Sequence, residues 1–138
     1  MTPFAKRRIL LVDDDATVVQ TVGDRLRFEG FDVVQAFSAE EGLRACSRQV
    51  MDLIILDIGM PGMTGLTFLD QIGRREKRKP PILVFTARAH LLDDIRKNPG
   101  VDAVLVKTAD PRELLAAVRR LLAGSIDAGS RSSEGDGQ

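Results

Sequence analysis

Apolar residues in this chain follow two spacings, and the spacing divides it into elements. Ile9-Leu10-Leu11-Val12, Leu53-Ile54-Ile55-Leu56 and Ile82-Leu83-Val84-Phe85 are unbroken runs, the pattern of short strands buried on both faces. Val101 to Val106 and the less apolar Asp32-Val33-Val34-Gln35-Ala36 complete a set of five strands. Between them the spacing is helical. Val18, Val19, Val22 and Leu26 recur on one face from Ala16 to Glu29, and Gly30 stands where a C-terminal cap belongs. Ser38 followed by Glu41 predicts a capping box for a helix carrying Leu43 and Cys46. A third helix is expected from about Thr64, with Leu66, Leu69 and Ile72 inward, ending in the basic stretch Arg74 to Lys79 before Pro80-Pro81. Leu91, Leu92 and Ile95 give a short, weak helix closed by Asn98-Pro99-Gly100. Asp110-Pro111 opens a final helix with Leu114, Leu115, Val118, Leu121 and Leu122 on one side.

Strands alternating with helices, each link long enough for a crossover, predict an α/β fold with a parallel sheet covered on both faces. Five strands favour the flavodoxin-like, doubly wound (βα)5 arrangement with strand order 2-1-3-4-5. One domain is expected over residues 1–123. Residues 124–138 contain eight Gly or Ser among fifteen and no apolar period, which predicts a disordered tail.

Composition removes several functions. Twenty basic and twenty acidic residues cancel, so no overall field draws the chain to nucleic acid or an anionic membrane. There is no Trp or Tyr to stack bases. One cysteine, Cys46, makes no internal disulfide, and no apolar run suits a secretory signal or a membrane span. A cytoplasmic protein is expected. His90, the only histidine, reads as an exposed residue.

The chemistry lies at the strand ends. In the 2-1-3-4-5 order, Asp13 and Asp14 after the first strand stand beside Asp57 after the third, and Thr86 and Lys107 end the fourth and fifth strands on the same rim. Each has an ordinary use alone, as a cap, a turn former or a solvated charge. Their meeting suggests more. Clustered carboxylates raise one another's pKa unless they share a cation, and an all-oxygen set suits Mg²⁺. Asp14 and Asp57 supply carboxylates, Asp13 acts directly or through water, and the Gly59 carbonyl follows two residues beyond Asp57. An Asp carboxylate can also attack phosphorus to form an acyl phosphate, with Lys107 neutralising charge and Thr86 donating a hydrogen bond. Gly59 and Arg88 flank this rim.

These residues resemble the receiver domain of two-component response regulators. The likeness lies in Leu11-Val12-Asp13-Asp14, Asp57-Ile58-Gly59-Met60-Pro61-Gly62-Met63-Thr64-Gly65, Phe85-Thr86-Ala87 and Val106-Lys107, and covers about residues 7 to 123. It implies Asp57 as phosphoacceptor, Asp13 and Asp14 as the metal-binding pair, Thr86 as switch hydroxyl, Ala87 as a binding residue and Lys107 as phosphate contact. It also implies a phosphohistidine donor on a sensor kinase or phosphotransfer protein, Mg²⁺ dependence, and slow self-catalysed loss of the phosphate. A downstream protein target is expected, direct DNA binding is not, and a homodimer is left open.

Two positions depart from that family's pattern. Lys107 is followed by Thr108 rather than proline, so the bond is either cis at a cost of about 2.5–4 kcal/mol or trans with the lysine placed differently. Val104 stands where an aromatic is usual. Both leave open a receiver-like interaction module that takes no phosphate. A phosphohydrolase of similar sheet is disfavoured, because its usual second acid is replaced by Gly59.

Overall fold

The computed structural model describes residues 6–59, 65–75, 79–88, 90 and 92–131. The elements follow in the order β1 (Arg8–Val12), α1 (Ala16–Phe28), β2 (Asp32–Ala36), α2 (Ala39–Arg48), β3 (Leu53–Leu56), α3 (Gly65–Arg75), β4 (Ile82–Thr86), α4 (Leu92–Arg96), β5 (Ala103–Val106) and α5 (Pro111–Arg131). All strand pairs are parallel and their order is β2-β1-β3-β4-β5, as the alternation of spacings predicted.

The unbroken apolar runs explain the two-sided packing, because alternate residues of a strand face opposite ways. Leu10, Val12, Ile54, Leu56, Ile82 and Val84 pack with Leu43, Phe68, Ile72 and Ile95 under α2, α3 and α4. Their neighbours Ile9, Leu11, Leu53, Ile55, Leu83 and Phe85 pack with Val19, Leu26, Leu114 and Val118 under α1 and α5. Cys46 lies half-buried on α2 against the first of these cores.

Helix ends follow the local chemistry. Asp15 caps α1 by accepting from the backbone N–H groups of Thr17 and Val18. At the other end Gly30 adopts φ +98°, a conformation that costs glycine little, and Phe31 N–H reaches back to the Leu26 carbonyl. The Ser38 hydroxyl accepts from Glu41 N–H, while the Glu41 carboxylate accepts from Phe37 N–H, one residue earlier than a standard capping box. At α5 the Asp110 carboxylate accepts from Arg112 N–H, and the Glu113 carboxylate accepts from Asp110 N–H.

The boundaries of β5 and α5 differ from the sequence expectation. Val101 is outside β5, because its N–H is taken by the Asn98 carbonyl in the turn that closes α4. The Thr64 start of α3 falls outside the described residues, as do residues 132–138 of the expected tail. Helix α5 continues past Gly124 to Arg131, where no apolar period was legible. A helix already nucleated adds residues at little cost, so backbone geometry can persist without a buried face.

Candidate functional site

The sheet brings the predicted strand ends together through its own hydrogen bonds. Val12 and Leu56 are register partners, and Asp57 N–H donates to the Val12 carbonyl at 2.9 Å. Asp13 and Asp57 therefore leave adjacent strands side by side. On the other flank Thr86 pairs with Val106, and Lys107 N–H donates to the Thr86 carbonyl at 2.8 Å. All peptide bonds among the described residues are trans, including Lys107-Thr108. The bond is thus the trans alternative, and the lysine nevertheless reaches across β4 to Asp57.

One oxygen from each of Asp13, Asp14 and Asp57 falls within 4.8 Å of the others. Asp13 and Asp57 are buried and Asp14 is exposed. The Lys107 ammonium sits between the two buried acids, 2.7 Å from Asp13 Oδ2 and 3.2 Å from Asp57 Oδ2. Their remaining oxygens are held by backbone: Asp15 N–H donates to Asp13 Oδ1, and Gly59 N–H donates to Asp57 Oδ1. Each buried carboxylate thus has one oxygen fixed and one on the lysine.

Burial is the main influence on Asp13 and pushes its carboxyl above the usual range. Hydrogen bonds from Lys107 and Asp15 N–H oppose that rise, and the nearby Asp57 charge adds to it. For Lys107 burial acts to lower the pKa, but the Asp13 hydrogen bond and the charges of Asp13 and Asp57 together outweigh it, leaving a net rise. The lysine stays protonated between the two acids.

Thr86 is on the same rim but engaged elsewhere. It is fully buried, and its hydroxyl oxygen accepts from Arg88 N–H at 3.1 Å, folding the chain after β4 back on itself. Ala87 and Arg88 are exposed beside it. Val104 is half-buried against the core under α4. His90 is exposed and takes no part in the cluster.

Sequence reasoning did not foresee a groove of about 340 Å³ between α1 and the start of α5, walled by Val18, Val22, Phe85 and Leu114 and reaching Lys107. Its apolar members were counted as core. The only signal was that Thr17 and Thr21 face the same direction as Val18 and Val22, leaving small residues where a helix packed at full depth would be large.

An oxygen-only cluster with a fixed ammonium at parallel strand ends is suited to holding a hard cation and a phosphoryl group together. Comparison with known proteins agrees. The sequence profile of the response regulator receiver domain matches residues 9–119. The alkaline phosphatase synthesis transcriptional regulatory protein PhoP of Bacillus subtilis is 33% identical over 117 residues, which are 84% of this chain and 48% of that protein. The DNA-binding dual master transcriptional regulator RpaA of Synechocystis is 36% identical over 83% of this chain and 48% of its own length. The chain thus spans about half the length of these relatives. Among solved structures, a CheY-like receiver domain protein from Methanospirillum hungatei superposes with a TM-score of 0.81 at 30% identity, covering 89% of this chain and 98% of that one. The response regulator TrrA of Thermotoga maritima, solved with Mg²⁺ and a beryllium fluoride, gives a TM-score of 0.75 at 34% identity over 83% of this chain and 98% of its own. The profile match over residues 9–119 and these likenesses together place the chain in the receiver domain family of two-component response regulators.

Proposed function

We propose that Asp57 accepts a phosphoryl group from a phosphohistidine on a sensor kinase or phosphotransfer protein, and that the modified state alters contact with a protein target. The observation that carries this reading is the Lys107 ammonium held 3.2 Å from Asp57 Oδ2, beside an acid cluster able to take a divalent ion. In the transfer, a carboxylate oxygen of Asp57 forms a bond to phosphorus as the P–N bond of the donor breaks. The electron pair leaves on the imidazole nitrogen, which then takes a proton from solvent.

Asp13, Asp14 and Asp57, with the Gly59 carbonyl, would hold Mg²⁺; it would supply positive charge against the phosphoryl oxygens. The donors fit, being hard oxygens within 4.8 Å of one another. Lys107 neutralises oxygens on the side facing β5. Loss of the phosphate is self-catalysed in this reading, with water replacing Asp57 at phosphorus.

The switch uses Thr86. New phosphoryl oxygens draw its hydroxyl, which releases Arg88 N–H and frees the segment after β4. Val104 offers no ring to rotate, so the β4–α4 segment carries the output. The groove between α1 and α5 shares Lys107 with the site and gives a donor protein an apolar seat. No helix among the described residues is long and apolar enough to cross a membrane.

Incubation with acetyl phosphate and Mg²⁺, read by intact mass, tests the assignment. A gain of one phosphate, absent in Asp57→Ala, is expected. No gain from any donor would favour the interaction module that Val104 leaves open.

A further inference from the structure

The groove between α1 and α5 has the size and lining of a small-molecule site. Its volume of about 340 Å³ falls within the range of such sites, roughly 300–1,000 Å³. Val18, Val22, Phe85 and Leu114 make its walls apolar. Its polar groups are few, and all can donate a hydrogen bond: the hydroxyls of Thr17 and Thr21, the Arg25 guanidinium and the Lys107 ammonium. Among the described residues no carboxylate lines it. Along α1 it extends from Thr17 to Arg25, about 12 Å at 1.5 Å per residue.

The two cations that line the groove differ in what they have left to offer. Lys107 is held by both Asp13 and Asp57. Arg25 is less committed. Glu29, one turn further along, lies 2.7 Å from Arg119 Nη2 and 3.5 Å from Arg25 Nε, so a single carboxylate answers two guanidinium groups and favours the one on α5. The acids at the start of α5 are engaged elsewhere, Asp110 with Arg112 at 3.0 Å and Glu113 with Asp110 N–H. Arg25 therefore stands exposed at the rim with donors to spare.

We propose that this groove binds a small amphipathic monoanion, its apolar body against Val22, Phe85 and Leu114 and its carboxylate or sulfonate head on Arg25 and the Thr21 hydroxyl. Thr21 and Arg25 are four residues apart on one helix face, so both reach the same head group. Burial of the body supplies most of the affinity, and the exposed ionic contact sets the preference for an anion. A trough about 12 Å long is no longer than a helix is wide, so it takes in a small molecule whole, whereas a protein lowers only side chains into it. The occupant stands where a donor protein is proposed to sit and would slow transfer from that protein but not from acetyl phosphate; this consequence alone rests on the donor-seat reading.

The test titrates anilinonaphthalene sulfonate, and phenylnaphthylamine with the same rings and no charge, into the full chain, following amide and methyl shifts by NMR without any phosphoryl donor. Saturable shifts are expected at Thr17, Val18, Thr21 and Leu114. Arg25→Ala should weaken the sulfonate about two- to fivefold at low salt and leave the uncharged probe unchanged, as for an exposed ionic contact. Val18→Glu should weaken both probes at least about tenfold, since it sets a charge in the apolar wall. Shifts that map to another surface, an Arg25→Ala loss equal for the two probes, or full binding in Val18→Glu each overturn the proposal. A groove that takes neither probe, while Val18→Glu still loses transfer from a protein donor, has a protein as its occupant and overturns it as well.

Discussion

Lys107 Nζ stands closer to Asp13 Oδ2, at 2.7 Å, than to Asp57 Oδ2, at 3.2 Å. The fifth strand's lysine is thus anchored mainly by the first strand's acid, across two intervening strands. Asp13 has two duties in this arrangement, as counter-ion to the lysine and as part of the cation cluster. A metal ion bound there would compete with the ammonium for the same carboxylate.

That competition has a measurable thermodynamic side. Mg²⁺ at a hundredfold excess over its dissociation constant is expected to add about 2.7 kcal/mol to unfolding free energy. Lys107→Met in chelator should lose about 1.5–3 kcal/mol, the worth of hydrogen bonds to charged groups, and should recover more on adding Mg²⁺ than wild type does. Urea unfolding with and without Mg²⁺ checks both. A Mg²⁺ response in Asp13→Asn equal to that of wild type would exclude this cluster as the binding site.

The pH dependence of the metal-free protein follows from the direction of the Asp13 shift. A folded-state pKa above the unfolded value means that the native state binds the proton more tightly. The corresponding stability is present below about pH 3.9 and is lost as pH rises through the folded value. Asp13→Asn should therefore gain on wild type as pH increases from 3 to 7 in chelator. Lys107 is also raised, so its contribution persists through neutrality and disappears only above the ordinary lysine range. Paired urea titrations across pH measure the difference, and a wild type that gains on Asp13→Asn as pH rises would contradict the assigned sign.

Thr86 and Arg88 give a test of the switch that is separate from phosphorylation itself. Thr86→Val removes the acceptor of Arg88 N–H and should cost about 1 kcal/mol. Phosphate gain should persist. Hydrogen exchange at the Arg88 amide should be faster than in wild type before phosphorylation and unchanged after it. Continued response of that amide in Thr86→Val would remove the hydroxyl from the switch.

The groove between α1 and α5 predicts a separation of donors. Val18→Glu places a charge on its apolar wall without touching the acids or Lys107. Transfer from a cognate phosphohistidine protein should fall at least about tenfold, equivalent to 1.4 kcal/mol of lost contact, while the rate with acetyl phosphate stays at the wild-type value. Equal losses with both donors would show damage to the site instead of to a docking surface.

A different residue tests the loop that follows Asp57. A Cβ on Gly65 would lie 2.7 Å from Ile58 Cα and 2.6 Å from its Cγ2. Because one of these neighbours is backbone, Gly65→Ala should cost about 1–3 kcal/mol and weaken Mg²⁺ binding through displacement of the Asp57 loop. A thermal melt unchanged by the substitution would show that α3 is not fastened there.

The sheet was legible because Leu10, Ile54 and Leu83 sit in runs that allow only two-sided burial, and crossovers of one hand leave few strand orders. Asp13, Asp14, Asp57, Thr86 and Lys107 were legible as a group for the same reason: strand order alone puts their backbones on one rim. Their side-chain partnerships were not. The preference of Lys107 for Asp13 and the turn of Thr86 toward Arg88 N–H are decided by distances that sequence spacing does not encode. Gly59 and Arg88 were legible as neighbours on this rim, but the packing of the Arg88 side chain against Gly59 was not, since an exposed side chain is placed by the room its neighbour leaves. Helix α5 outran its apolar stripe because backbone bonding alone extends it.

The rung from Lys107 N–H to the Thr86 carbonyl, at 2.8 Å, fastens the two strand tips to each other. An ammonium and a hydroxyl mounted on one crossbar do not travel independently. Whatever tugs on either tip is felt by its mate, so a ligand gripping the amine would already have begun to shift the alcohol.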